Sequence, residues 1–334
     1  MFKERVVEKK KRMAEESAIN NHPTRKCAVV TGGNKGIGYE ICRQLMEKGV
    51  MVVLTARDEK RGKEAVEKLL REECCYYHQM NLVVFHQLDV VNPQSVSSLV
   101  VFIKSKYGKL DILVNNAGIN GLMVEGDVSV LPEMIEREAI RGFSNTTEED
   151  EVPIKSTGKL METYELAEEC ISTNYGGAKR MIDAFIPLLL LSPSPRVVNV
   201  SSLLGKIKLV SNEWAIKALS DGEGLTAEKV DEVVNEFLLG FKEGLLKEKG
   251  WPTDLAAYKV SKAAMNAYTR IVAQRYPSIC VNCICPGFTK TDITCNTGPL
   301  TPEDAAEGPV RLALLPEDGP SGQFFYRKNV SITF

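Results

Sequence analysis

Tyr258 and Lys262 stand four positions apart in the run Tyr258-Lys259-Val260-Ser261-Lys262. On a helix that spacing sets a phenol and an ammonium on one face, where the phenol can give up a proton and the ammonium can steady the phenolate left behind. The other reading is a lysine that snorkels past a core tyrosine. The run from Ala256 to Gln274 holds Ala263, Ala264, Met265, Ala267, Tyr268, Ile271, Val272 and Ala273, which is too apolar for a surface helix and suits one packed on a sheet. What lies upstream has to decide between the two.

Upstream, Cys27-Ala-Val-Val-Thr31 reads as a short strand, followed at once by Gly32-Gly33-Asn34-Lys35-Gly36-Ile37-Gly38 and a helical stretch from Tyr39 to Glu47. Strand, glycine turn and helix form the context in which glycines bring backbone N–H groups up to a pyrophosphate at a helix N-terminus. The bland alternative is a tight turn with no ligand. Val50 to Thr55 reads as the second strand, and its end carries Thr55-Ala56-Arg57 where an acid would favour the ribose hydroxyls of NAD. Arg57 with Lys35 makes a cationic cup suited to a 2′-phosphate, so the cofactor expected is NADP(H). Asp58 argues the other way, and Arg57 could instead be a solvated loop residue.

Three further strand-like runs each end in polar residues. Val83 to Leu88 ends in Asp89-Val90, Leu110 to Val114 in Asn115-Asn116-Ala117-Gly118, and Pro195 to Val200 in Ser201-Ser202. A final strand over Ile279 to Cys285 leads into Pro286-Gly287-Phe288-Thr289-Lys290-Thr291, then a helix over Asp304 to Leu315 and a last strand over Gly322 to Tyr326. Strands alternating with helices predict one α/β, doubly wound Rossmann-type domain, a parallel sheet with helices on both faces and ligands at the strands' carboxyl ends. His86 lies within its strand and reads as packed rather than catalytic.

Two stretches interrupt the rhythm. Residues 120–163 are mostly charged and polar, least structured over Asn145 to Glu151, and read as a long surface excursion. Residues 203–255 hold Val230, Val233, Val234, Phe237, Leu238, Phe241, Leu245 and Leu246 at helical spacing after Thr226, a candidate N-cap. A long insertion with an apolar stripe reads as a helical cover over the site.

The domain is expected over 26–334. Residues 1–25 are charged and short of large apolar side chains, so a disordered tail or frayed helix is expected there; Glu4, Glu8, Glu15 and Glu16 argue against a transit peptide, and Met13 reads as a natural start. At 334 residues, 44% hydrophobic and 26% charged, the composition is that of a globular protein. The net charge of −2 gives no basic field for nucleic acid, and no apolar run nears the roughly 20 residues of a membrane span. Nine cysteines without secreted-domain spacing read as reduced thiols in a cytoplasmic protein, and Cys280, Cys283 and Cys285 have no partner pair that would make a zinc site.

Taken together the motifs resemble those of the short-chain dehydrogenase/reductases, and within them the plant, monomer-type carbonyl reductases, from about Lys26 to the C-terminus. Thr31-Gly32-Gly33-Asn34-Lys35-Gly36-Ile37-Gly38 matches the family's cofactor turn, Asn115-Asn116-Ala117-Gly118 its N-N-A-G segment, and Tyr258 with Lys262 its Y-x-x-x-K. The resemblance implies that Asp89 and Val90 lie at the adenine, that Pro286, Gly287 and Thr291 face the nicotinamide amide, and that Asn174, Ser202, Tyr258 and Lys262 are the catalytic set. It implies a hydride transfer in which Tyr258 is the acid, Ser202 steadies a carbonyl, Lys262 holds the ribose and lowers the phenol's pKa together with the oxidised nicotinamide, and Asn174 anchors a relay water.

From Ser202 to Tyr258 the chain runs 56 positions, longer than in compact members of the family. The resemblance implies that this insertion covers the pairing surface, so a monomer is expected. The function expected is NADPH-dependent reduction of a ketone on a bulky, mostly apolar small molecule of terpenoid or alkaloid type. Leu122, Val124, Leu203, Leu204, Ile293 and Thr294 are the candidate substrate pocket because they follow the motifs that frame the site. The alternatives are oxidation of a secondary alcohol and a non-catalytic NADPH-binding regulator.

Overall fold

A computed structural model describes residues 25–72, 82–143 and 153–330 of the chain. The readings of the N-terminal tail, of a start at Met13 and of Asn145 to Glu151 lie outside these residues.

Short runs of β-branched and aliphatic residues make the strands because both of their faces are covered. The strands are β1 (Cys27–Val30), β2 (Met51–Ala56), β3 (Val83–Gln87), β4 (Ile112–Asn115), β7 (Arg196–Val200), β8 (Cys280–Cys285) and β9 (Phe324–Tyr326). They pair in parallel in the order β3-β2-β1-β4-β7-β8-β9, and β10 (Asn329–Val330) adds antiparallel to β9. The order reverses between β1 and β4, which opens a crevice at their carboxyl ends.

Helices α1 (Gly36–Glu47), α2 (Glu59–Glu72) and α10 (Pro302–Ala313) close one face through Ile41, Leu45, Leu69 and Val310. On the other face lie α3 (Pro93–Tyr107), α6 (Ala178–Leu189) and α9 (Ala256–Arg275), which bury Leu99, Ile103, Phe185 and the alanine-rich face of α9. The first helix starts at Gly36, earlier than the sequence suggests, because the last glycines of the turn form its first turn. His86 is half-buried, its ring 5.0 Å from that of Phe102.

The stretch over 120–163 is more than a surface excursion. It contains a two-stranded antiparallel ribbon of β5 (Met123–Glu125) and β6 (Lys159–Met161), and helix α4 (Val130–Phe143). Leu131 and Met134 of α4 join Leu122, Leu204, Leu209 and Leu255 in a small buried cluster, to which this stretch and the 203–255 insertion both contribute. After it, α5 (Tyr164–Ile171) runs through a π-helical turn, Ser172–Gly177, into α6.

The second interruption carries α7 (Glu213–Ser220) and α8 (Ala227–Lys242). Thr226 accepts from Lys229 N at 3.3 Å and caps α8, which buries Val230, Val233, Val234 and Phe237 against α5, α7 and α9. Leu245 lies outside the stripe and is exposed. Among the described residues no helix is long and apolar enough to cross a membrane. Cys283 and Cys285 share one face of β8 with Leu203 and Phe324, and no metal-binding cluster forms among the described residues.

Candidate active site

The carboxyl ends of β1, β4 and β7 open onto a cleft of about 800 Å³. Its floor is the glycine turn. Gly32 takes φ +64°, and a Cβ on Gly38 would lie 2.3 Å from the Gly32 carbonyl oxygen, so only glycine fits there. Thr31 does not face the cleft: its Oγ1 accepts from Asn116 N and Ala117 N, both at 2.9 Å, tying the turn to the end of β4. Asn116 Nδ2 donates back to Thr31 O at 2.9 Å.

Helix α1 begins without a side-chain cap, whereas Asn92, Thr226 and Thr301 cap α3, α8 and α10. Its first N–H groups thus remain available to an anion, and Asn34, Lys35, Gly36, Ile37 and Gly38 line the cleft around them. Arg57 stands at the end of β2, 65% exposed and 3.8 Å from Glu169, and Arg61 joins it on the cleft wall. Lys35 is paired with Asp292 across the cleft. The Asp58 carboxylate accepts from Arg61 N at 2.9 Å and so caps α2. This turn, helix end and cation group fit a dinucleotide with a phosphorylated ribose. Asp89 and Val90, with Asn116, Ala117 and Gly118, continue the wall, and Pro286, Gly287 and Thr291 face them from the β8 loop.

Ser202 and Tyr258 meet beyond that end. The Ser202 hydroxyl stands beside the Tyr258 phenol, and its Oγ accepts from Leu204 N at 3.2 Å. Lys262 Nζ donates to Val200 O at 2.9 Å and lies 5.6 Å from the centre of the Tyr258 ring. Burial lowers the Lys262 amine to about 8. Burial also raises the Tyr258 phenol above its ordinary value, and the neighbouring Ser202 hydroxyl opposes that rise without overcoming it. In these surroundings the Tyr258 phenol keeps its proton. Asn174 is fully buried in the π-turn behind this pair, not on the cleft wall.

Among the expected pocket residues, Leu203, Leu204, Ile293 and Thr294 line the cleft. Leu122 and Val124 do not; they pack in the cluster under α4. Gly121, at φ +68°, turns the chain away after Asn120, so nearness in sequence to the Asn115–Gly118 segment misleads. Their place is taken by Leu131, Ile135 and Ala139 of α4, with Leu255. The four-residue spacing of 131, 135 and 139 was the available signal, diluted by Glu133, Glu136, Arg137 and Glu138.

The fold and cleft define an oxidoreductase that works with a nicotinamide cofactor. Residues 26–141 match the family profile described as short chain dehydrogenase, and residues 245–318 one described as Enoyl-(Acyl carrier protein) reductase. The chain is 58% identical over 305 residues to a (+)-neomenthol dehydrogenase from Capsicum annuum, covering 91% of this chain and 96% of that one. It superposes on the menthone neomenthol reductase of Mentha piperita with TM-score 0.83 at 53% identity, covering 91% of this chain and 99% of that one. For salutaridine reductase of Papaver somniferum the values are 0.78 and 52%, over 90% and 99%. The chain belongs to the short-chain dehydrogenase/reductase family.

Proposed function

We propose that the protein uses NADPH to reduce a ketone on a bulky, uncharged, mostly apolar small molecule of terpenoid or alkaloid type to a secondary alcohol. The observation that carries this reading is the division of the cleft. Lys35, Arg57 and Arg61 gather where a 2′-phosphate would sit, while α4, Leu203, Leu204, Leu255 and Ile293 supply the apolar wall of the part of the cleft that holds Ser202, Tyr258 and Lys262. An apolar wall with two convergent hydroxyls suits a neutral carbonyl compound.

When bound, the nicotinamide supplies the hydride. Ser202 holds the carbonyl oxygen by a hydrogen bond, and Tyr258 delivers a proton to that oxygen as negative charge develops on it. Lys262, fixed by Val200 O, holds the ribose and, while protonated, favours the phenolate that Tyr258 becomes. Asn174 holds the loop that carries Gly118, whose added Cβ would lie 3.1 Å from Asn174 Oδ1 and 3.5 Å from Lys262 Nζ.

We also propose a monomer in the cytoplasm. The monomer is supported by α8, whose apolar stripe already covers the face made by α5 and α9. The cytoplasmic setting is supported by the seven cysteines among the described residues, which are all free and of which six are buried.

The test is NADPH oxidation with cyclic monoterpenoid ketones, alkaloid ketones and simple quinones, together with NADP+ reduction by the matching alcohols. Turnover of a hindered cyclic ketone is expected. Tight NADPH binding with no turnover in either direction would overturn the reading in favour of a non-catalytic binder.

A further inference from the structure

Lys259 follows Tyr258 in sequence but points away from the cleft, with its side chain 3% exposed. Its Nζ lies 2.6 Å from Oε2 of Glu138 on α4, whose side chain is 1% exposed. Taking two charges out of water costs several kcal/mol per ion, and an apolar pair of similar size often serves stability as well or better. Stability alone therefore does not account for an ion pair here.

The surroundings point to geometry instead. Arg141 Nη1 donates to Glu138 Oε1 at 3.1 Å, and Arg137 Nη2 donates at 3.0 Å to Asp254, just before α9. A second carboxylate from the same stretch, Glu162 at the end of β6, accepts from Ala256 N at 3.0 Å and Ala257 N at 3.2 Å. It takes the place of the side-chain cap that Leu255 does not provide for α9. The 120–163 stretch thus grips positions 254, 256, 257 and 259, on both sides of Tyr258. The same α4 presents Leu131, Ile135 and Ala139 to the cleft, and Ala139 is the neighbour of Glu138.

We propose that Glu138 and Lys259 are positioning residues that lock the apolar substrate wall of α4 to the helix carrying Tyr258, so that wall and proton donor keep one fixed separation. A bulky ketone that touches the wall is then delivered to the phenol in register, whereas a small ketone that does not touch it gains nothing. The substrate side of this inference rests on the ketone-reductase reading; the clamp itself does not.

The test compares the full-length wild type with Glu138→Gln, Lys259→Met and the double variant Glu138→Leu/Lys259→Met. Each single variant is expected to raise KM for a cyclic monoterpenoid ketone about tenfold, with kcat falling less. KM for a small aliphatic ketone and the NADPH Kd from fluorescence titration should stay near wild type. Amide exchange over residues 130–143 should quicken, while exchange in α8 stays unchanged. In the double variant thermal stability should recover but the raised KM for the bulky ketone should persist, because an apolar pair restores packing and not register. If the singles do not fold, Glu138→Asp keeps the charge, shortens the reach and is expected to show the same KM split. Unchanged exchange over 130–143 in the singles, or a double variant with wild-type preference between the two ketones, would overturn the clamp. If the wild type reduces no ketone, the reductase reading fails by itself and amide exchange alone decides the clamp.

Discussion

Asn174 and Ile119 hold each other by two hydrogen bonds: Ile119 N donates to Asn174 Oδ1 at 2.9 Å, and Asn174 Nδ2 donates to Ile119 O at 2.9 Å. The same Nδ2 lies 3.0 Å from Ser261 Oγ on α9 and 3.2 Å from Cys170 Sγ on α5. One amide therefore joins the loop after β4, the end of α5 and the catalytic helix. The π-turn places it there, because the extra residue in its wider ring interrupts the regular α-helical hydrogen bonding between α5 and α6. With both amide protons held by protein atoms, a relay water would have to donate to the remaining lone pair of Oδ1.

Asn174→Ala is expected to leave the two Ile119 backbone groups without this partner and to cost about 1–3 kcal/mol. The loop carrying Gly118 would loosen, so turnover should fall together with the melting temperature. Calorimetry alongside NADPH oxidation checks this, and a variant that loses rate at full stability would assign Asn174 to the relay alone.

Tyr258→Phe keeps the ring and removes the proposed proton donor. Loss of general acid catalysis should lower kcat by about 10²–10⁴-fold. NADPH affinity should hardly change. Wild-type turnover on every ketone accepted would show that the proton comes from elsewhere.

The glycine turn and the strand ends were legible in the sequence because each depends on residues that are neighbours in the chain. Gly32 and Gly38 meet although six positions apart, and the Ser202 segment follows directly from β7. Helix α4 was hidden for the opposite reason. Its charged residues look solvated until Glu138 finds Lys259, 121 positions further on, and Leu131 finds Leu204 and Leu255. Leu122 and Val124 show the limit of arguing from adjacency, since one positive φ at Gly121 takes them out of the cleft.

Arg57→Asp should reverse the charge at the end of β2. A hydrogen bond to a charged group contributes about 1.5–3 kcal/mol, so the NADPH to NADH ratio of kcat/KM should fall about tenfold to a hundredfold. Lys35 and Arg61 would retain part of the preference. Paired kinetics with both cofactors measure this, and an unchanged ratio would remove Arg57 from 2′-phosphate recognition.

Lys262 gives two pH effects of opposite sign. Burial lowers its amine from 10.5 to about 8, so above that pH the folded protein loses the charge while the unfolded chain keeps it up to about 10.5. In the proposed mechanism the charged form holds the ribose and favours the phenolate, so kcat/KM for ketone reduction should fall as pH rises past about 8. The Tyr258 phenol is held above its ordinary range and still carries its proton there, so this limb belongs to the lysine. In the same window the unfolded chain binds more protons at this site than the folded one, so the contribution of Lys262 to stability should improve with rising pH. Lys206 and Lys259 are also lowered by burial and add rises of their own, so the measured quantity is the difference between wild type and Lys262→Met. That difference should shrink from pH 7.5 to 10, and in Lys262→Arg the basic limb of the rate profile should move beyond pH 10, because the guanidinium stays protonated. A limb near pH 8 that survives Lys262→Arg would assign it to another group.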